Sequence, residues 1–264
     1  MREIETDGLV IRETETGEAD QILTLLTADY GKVVVSAKGV RSIRSKHYAA
    51  AQLFTYSTFQ LRKTHKYYYI ADTSYIENFM GIRYDINKLA LANYICDIAN
   101  DMSLEDEADP ELLQLTLNAL YAIAKRDDIP LARIKAAYEF RVICHGGFRP
   151  ELERCGICGE ALTENSYMDV MNGRVLCKSC QEKYVQSPHY MLDGSTAKIH
   201  IRLTPAVLRA LRYIESSTPK RFLSFQLEES DNILLGIAAE RYMLNHLERN
   251  FDSLEFYKSL LEQN

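Results

Sequence analysis

The sequence predicts an α+β protein in which a small five-stranded β-barrel precedes an α-helical body that carries an inserted, cysteine-paired segment. Three observations predict it. Five short β-rich runs separated by turn residues fill the first eighty residues. Apolar residues then recur at helical spacing over most of the remaining chain. Two Cys-x-x-Cys pairs interrupt that helical stretch.

The β-rich runs are Leu9–Arg12, Gln21–Leu26, Lys32–Ala37, Leu53–Lys63 and Tyr67–Ile76. Turn chemistry divides them at Gly17, Tyr30-Gly31, Gly39 and Thr64-His65-Lys66. Ala49-Ala50-Ala51 is expected to make a short helix between the third and fourth strands. Five strands of this length suit an OB-fold, whose closure removes most free sheet edges. In the helical body, Leu91, Tyr94, Ile95, Ile98 and Met102 form one apolar stripe. Asp109-Pro110-Glu111 supplies a cap, a first-position proline and an acid at the positive dipole end of the next helix. Leu112, Leu115, Ala119, Ala122 and Ile123 continue that helix. A third runs from about Leu131 to Cys144 and stops at Gly146-Gly147. Thr204-Pro205 opens a fourth that ends near Glu215. Leu234, Ile237, Leu244 and Leu247 mark a longer one, and Leu254–Leu261 the last.

Composition narrows the class. The 264 residues are 47% apolar and 26% charged, as in ordinary globular proteins. A net charge of -6 excludes a uniformly basic nucleic-acid binder and leaves room for a basic face on one domain. The opening Met-Arg-Glu-Ile-Glu-Thr-Asp-Gly carries no secretory signal, and no run reaches the roughly 18–20 apolar residues of a membrane span. The expectation is a soluble, cytoplasmic protein without a membrane partner. In that compartment six cysteines point to metal binding or buried thiols rather than disulfides.

Cys155-Gly-Ile-Cys158 and Cys177-Lys-Ser-Cys180 stand eighteen residues apart, which matches the spacing of four-cysteine zinc sites. Each Cys-x-x-Cys turn sets two sulfurs on one side of the backbone. Gly159 helps the first turn, and Asn172-Gly173 reverses the chain to bring the second pair back. Four thiolates would fill the coordination sphere of one Zn2+ and leave no position for substrate, so the ion is expected to be structural. A redox Cys-x-x-Cys or buried free thiols are the alternatives, and two pairs at this spacing favour zinc over both. Cys96 and Cys144 lie in helical stretches and are expected in the core. His145 is expected to cap or face solvent rather than to ligate.

From Tyr30 to Ala71 there is no Asp or Glu. The same window holds Lys32, Lys38, Arg41, Arg44, Lys46, Arg62, Lys63 and Lys66, whereas acids crowd into residues 3–29. Tyr48, Phe54, Tyr56, Phe59, Tyr67, Tyr68 and Tyr69 interleave with the cations. Cations hold phosphates and exposed rings stack bases, so the expectation is a positive, single-strand-binding face gathered on the barrel. Any one ring is expected to be core, with Tyr68 pointing away from Tyr67 and Tyr69. There is no phosphate loop, dinucleotide fingerprint, HExxH or nucleophile elbow, and an enzyme is not expected. The acids of residues 101–111 read as a solvated linker.

Taken in order along the chain, several segments resemble the bacterial RecO recombination-mediator family. They are Gly8-Leu9-Val10-Ile11-Arg12, Glu18-Ala19-Asp20, Leu23–Thr27 with Gly31-Lys32, Ala37-Lys38-Gly39-Val40-Arg41 with Ser45-Lys46, and Leu53-Phe54. Phe140-Arg141, Gly147-Phe148 and Pro150 then lead into the first cysteine pair, and Tyr242, His246-Leu247, Leu254 and Phe256 follow near the end. The resemblance implies an OB-fold followed by a helical domain with a zinc module. It implies binding of single- and double-stranded DNA, annealing of complementary strands, and partnership with RecR and in some members RecF. It further implies contact with single-strand-binding protein, so that RecA is loaded onto covered DNA, in the nucleoid of a bacterial cytoplasm. The expected division is residues 1–80 as the nucleic-acid-binding OB-fold, 81–149 and 191–264 as two parts of a helical domain, and 150–190 as the zinc module. The alternative is a zinc-containing protein-interaction scaffold that does not bind DNA directly.

Overall fold

A computed structural model describes residues 2–64, 67–163, 165–186 and 199–262. Strand β1 (Arg2–Glu15) is much longer than the sequence expectation. Ile4, Thr6 and Gly8 point inward while Glu3, Glu5 and Asp7 point outward, a period-two alternation that the acidic composition disguised. Its first half pairs with β4 (Tyr56–Lys63) and its second half with β2 (Gln21–Thr27). A bulge at Ile11 bends the strand between these partners. With β3 (Gly31–Ala37) and β5 (Tyr68–Glu77) it closes a barrel in the order β1-β2-β3-β5-β4. All pairings are antiparallel except β3 with β5. The barrel is filled by Ile4, Val10, Leu23, Leu25, Val33, Val35, Phe59, Leu61 and Tyr68. This is the OB-fold that the strand count predicts.

Two local expectations fail. Residues 46–54 form successive turns rather than a helix. One i→i+4 bond, Ala51 N to His47 O at 3.1 Å, does not offset the cost of helix nucleation. Strand β4 begins at Tyr56 and not at Leu53, because Phe54 has a φ of 62° that breaks the extended chain.

The same compact unit contains a 3-10 turn (Met80–Tyr84), α1 (Ile86–Met102), α2 (Pro110–Lys125) and a last helix, α7 (Asp252–Leu261). Asp85 caps α1 by accepting from the amides of Asn87 and Lys88. Asp109 caps α2 through the Leu112 amide, as predicted. Helix α1 meets α7 through an edge-on Tyr94–Phe251 contact and a 2.6 Å bond from Ser253 Oγ to Asp97. The segment between α1 and α2 is not a free linker. Leu104 O accepts from the Lys32 amide, and Glu105 bridges to Gly31. Gly31 has a φ of +58°, and a Cβ there would collide with the carbonyls of Leu104 and Glu107, so glycine is required.

A second compact unit spans Pro130–Asn250. Helix α3 (Leu131–His145) is buried on every side from Arg133 to Cys144 and packs on α6 (Glu229–Leu247). The buried stripe of α6 is Leu235, Ala238, Ala239, Tyr242 and Met243, displaced from the predicted Leu234 and Ile237; Ile237 is exposed. Ala238 and Ala239 are fully buried, and counting large apolar residues overlooks such small ones. Within this pair, Lys135 bridges Glu139 at 2.8 Å and Glu240 at 2.7 Å. Burial disfavours the Lys135 charge, and the two carboxylates outweigh that and hold its pKa above the ordinary lysine value. A three-stranded sheet in the order β7-β6-β8, from β6 (Ser166–Asp169), β7 (Arg174–Cys177) and β8 (His200–Leu203), completes the unit with α4 (Lys178–Val185) and α5 (Pro205–Ser216). No helix among the described residues is long and apolar enough to cross a membrane.

Candidate functional site

The first cysteine pair sits on a tight turn. Cys155 N donates to Glu160 O at 2.8 Å, and Gly159 N returns to Cys155 O at 2.9 Å. Gly159 has a φ of +74°, which a side chain would strain. The β6–β7 hairpin delivers the second pair. Buried Asp169 accepts from Asn172 Nδ2 at 2.8 Å and from Arg174 Nε at 3.1 Å, fixing the reversal, and Gly173 takes a φ of +62° there. Cys177 then ends β7 and serves as the N-cap residue of α4, which places Cys180 in the first helical turn. Gly156 N donates to Val175 O at 2.9 Å, and Cys177 N to Cys155 Sγ at 3.3 Å, so backbone bonds join the two turns. From α5, Arg212 Nη2 donates to the carbonyls of Leu152 at 2.6 Å and Leu162 at 3.0 Å, holding both ends of the first turn.

The four sulfurs lie within 4.8 Å of one another, and Cys158 Sγ stands 3.9 Å from Cys177 Sγ. A tetrahedral ion with metal–sulfur bonds of about 2.3 Å requires sulfurs about 3.8 Å apart. The arrangement therefore fits one four-coordinate ion, with no histidine or carboxylate in the set. The thiol chemistry is consistent with that fit. Burial raises the Cys155 pKa, but the amides of Cys158, Cys177 and Ile157 outweigh it and bring it to about 6. Cys180 is pushed up to about 12 by burial and by the neighbouring sulfurs. Adjacent thiolates repel, and a dication is what allows all four to ionise together. Cys96 and Cys144 are buried as expected, with burial raising the pKa of each.

The cations of the acid-free window meet different fates. Lys32 is half-buried, and its Nζ donates to Asn100 O at 2.8 Å, so it caps the last turn of α1. Arg41 pairs with Glu15 at 2.8 Å, Lys46 with Asp72 at 2.9 Å and Arg62 with Glu3 at 2.8 Å. On β1, Glu5 and Asp7 likewise accept from Gln60 and Thr58 of β4. The acids of residues 3–15 thus lie directly across the sheet from part of the basic segment. Lys38, Arg44 and Lys63 have no acid within ion-pairing distance among the described residues. Lys38 stands over the half-buried Tyr69 ring at 5.8 Å from its centroid, and Lys63 over Tyr68 at 5.0 Å. Lys66 lies outside the described residues.

The rings meet different environments, and strand parity separates Tyr68 from Tyr69 on β5. Phe54, Phe59 and Tyr68 are buried, while Tyr48 is exposed and Tyr67 and Tyr69 are half-buried. Tyr69 pairs with Ser36 of β3 and Arg62 of β4, so it and Lys38 share the outer surface where β3 meets β5. Arg12 is a cation that the acid-free window omits. It is exposed on β1 just past the bulge, opposite Thr24. Acids flank it in sequence, and only the bulge reveals which surface it joins.

Comparison with known proteins covers nearly the whole chain. The family model described as "Recombination protein O N terminal" matches residues 1–79, and "Recombination protein O C terminal" matches residues 83–255. The chain is 35% identical over 260 residues to a protein of Acetivibrio thermocellus called "DNA repair protein RecO", covering 98% of both. Proteins of the same name from Symbiobacterium thermophilum and Alkaliphilus metalliredigens are 31% and 28% identical, the matches covering 96% and 97% of this chain.

Proposed function

From the premise that this chain belongs to the Recombination protein O family of DNA repair proteins, we propose that its barrel binds DNA strands directly, as a non-enzymatic recombination mediator. The observation that carries this is the barrel surface at β3 and β5. There Lys38 lies over the half-buried Tyr69 ring and, like Arg44 and Lys63, faces no acid among the described residues. Cations of this kind grip sugar-phosphate without reading sequence, and a neighbouring ring offers a base a stacking surface. Neutralising phosphate charge lets two strands approach, which favours annealing of complementary strands. With RecR, in some members RecF, and single-strand-binding protein as partners, such a protein would help RecA load onto covered single strands.

The four cysteines are assigned one structural Zn2+. When bound, the ion supplies a cross-link between the 155–159 turn and the start of α4, and a filled thiolate shell gives it no vacancy for substrate. The chain's own residues then do the positioning: Arg212 and Asp169 hold the two turns whose sulfurs converge.

The engagement of Arg41, Lys46 and Arg62 by acids favours a second reading, a zinc-containing interaction scaffold that leaves DNA to its partners. Mobility shift of single-stranded and duplex DNA by the full chain, with and without RecR, separates the two. Binding by the chain alone is the expected result. Binding only when the partner is added would establish the scaffold.

A further inference from the structure

The end of β1, with Glu13 and Glu15, and the β1–β2 turn, with Glu18 and Asp20, form one acidic turn region folded against the start of the β3–β4 loop, which carries Arg41 and Arg44. Arg41 is the centre of the contact. Its Nη2 lies 2.8 Å from Glu15 Oε1, while Nη1 donates to the carbonyls of Glu18 at 3.3 Å and Gly17 at 3.4 Å. Its backbone amide donates to Ala19 O at 3.0 Å, and Asp20 Oδ1 accepts from Gly39 N at 2.7 Å. The turn itself is closed by Thr16 N donating to Asp20 O at 3.1 Å. Two outer nitrogens of the guanidinium are therefore occupied by a carboxylate and two carbonyls, the same kind of acceptor that a phosphate presents to an arginine fork.

We propose that this acidic turn is an intramolecular phosphate mimic: it holds Arg41 back from nucleic acid and competes with the strand for the basic loop. The inference rests on the barrel being a DNA-binding surface and adds a regulation of that surface. The competitor is suited to displacement. The Glu15 side chain is 64% exposed and the Arg41 side chain 35%, so the pair is solvent-screened, and a dense run of phosphates can replace it. Arg41 is thus a conditional cation, in contrast to Lys38 and Arg44, which are open from the outset. A short or dilute polyanion meets the open cations alone. A longer strand recruits Arg41 by displacing the carboxylate.

The test is binding of a labelled oligothymidylate to the full chain at low salt, followed by fluorescence anisotropy. Glu15→Gln is expected to bind at least about three-fold more tightly than wild type. Glu5→Gln removes the same charge from β1 at a carboxylate bonded to Gln60 and controls for net charge; it is expected to change affinity less. In an Arg41→Gln background the Glu15→Gln gain should fall to that of Glu5→Gln, and Arg41→Gln alone should weaken binding less than Arg44→Gln. A Glu15→Gln gain equal to that of Glu5→Gln in the wild-type background, or one that stays larger than it without Arg41, would overturn the inference. The combined variant Lys38→Gln/Arg44→Gln/Lys63→Gln distinguishes the two levels. If it binds the strand as wild type does, the barrel is not the DNA surface and the inference falls with it. If it binds weakly while Glu15→Gln matches Glu5→Gln, the surface stands and only the competing turn is wrong.

Discussion

The four cysteines lie in two pairs eighteen residues apart and converge to within 4.8 Å, whereas the described cations of residues 32–63 are divided among different partners, Lys32 at a helix end and Arg41, Lys46 and Arg62 against acids. A Cys-x-x-Cys turn fixes its two sulfurs locally, and one hairpin suffices to join two such turns. Charge on a barrel obeys no comparable rule. Strand alternation sends neighbours to opposite surfaces, and the partner strand decides whether a cation meets an acid. Arg62 meets Glu3 for that reason, although fifty-eight residues separate them in the chain. Proximity in sequence is thus informative about geometry set by one turn, and weakly informative about a surface assembled from five strands.

The largest effect that could break this contrast is metal removal. Structural zinc binds zinc-finger peptides with about 10–16 kcal/mol. The expected stoichiometry is one zinc per chain, and Cys158→Ser or strong chelation should abolish hydrogen-exchange protection of residues 155–177 while the barrel amides stay protected. Metal-free protein with unchanged protection there would show that the hairpin stands without an ion.

A cation committed in the interior sharpens the contrast from another side. Lys135→Met leaves Glu139, which is fully buried, without its lysine, and should cost about 3–5 kcal/mol in urea unfolding. Arg62→Gln breaks an exposed pair and should cost no more than about 1 kcal/mol. Equal costs would mean that burial does not separate the two. Because the Lys135 pKa is raised on folding, its contribution is fully present below the unfolded value of 10.5 and is lost only as pH rises through the folded value. Stability from this pair should therefore not vary across neutral pH. A smaller effect is expected at Lys32. Lys32→Ala should cost about 1–2 kcal/mol by freeing the end of α1, with DNA affinity unchanged. A weakened salt dependence in that variant would return Lys32 to the DNA surface.

Much of the fold was legible because local rules and tertiary packing agree. The caps Asp109-Pro110 and Thr204-Pro205, and the stop at Gly146-Gly147, all lie where the sequence places them. The extension of β1 to Arg2 was written in the alternation of Glu3, Glu5 and Asp7 with Ile4 and Thr6, but acidic residues are poor strand formers and hid it. Strand β8 is only four residues long and gains its place by pairing with β6, which no local pattern encodes. The stripe of α6 was misplaced because two of its five buried positions are alanines, Ala238 and Ala239, which a count of large apolar residues passes over. In the candidate site, the convergence of the four cysteines followed from spacing, whereas the partners of Arg41, Lys46 and Arg62 depend on strand register and loop contacts.

The most direct test of the barrel as a DNA surface is the salt dependence of oligothymidylate affinity for wild type and for Lys38→Gln/Arg44→Gln/Lys63→Gln. Each phosphate neutralised on a single strand contributes about 0.7 to the slope of log affinity against log salt. Wild type should show a slope of about -2 or steeper, and loss of three cations should flatten it by about 2 without lowering thermal stability. A slope that is flat in wild type, or identical in the two proteins, would contradict the assignment.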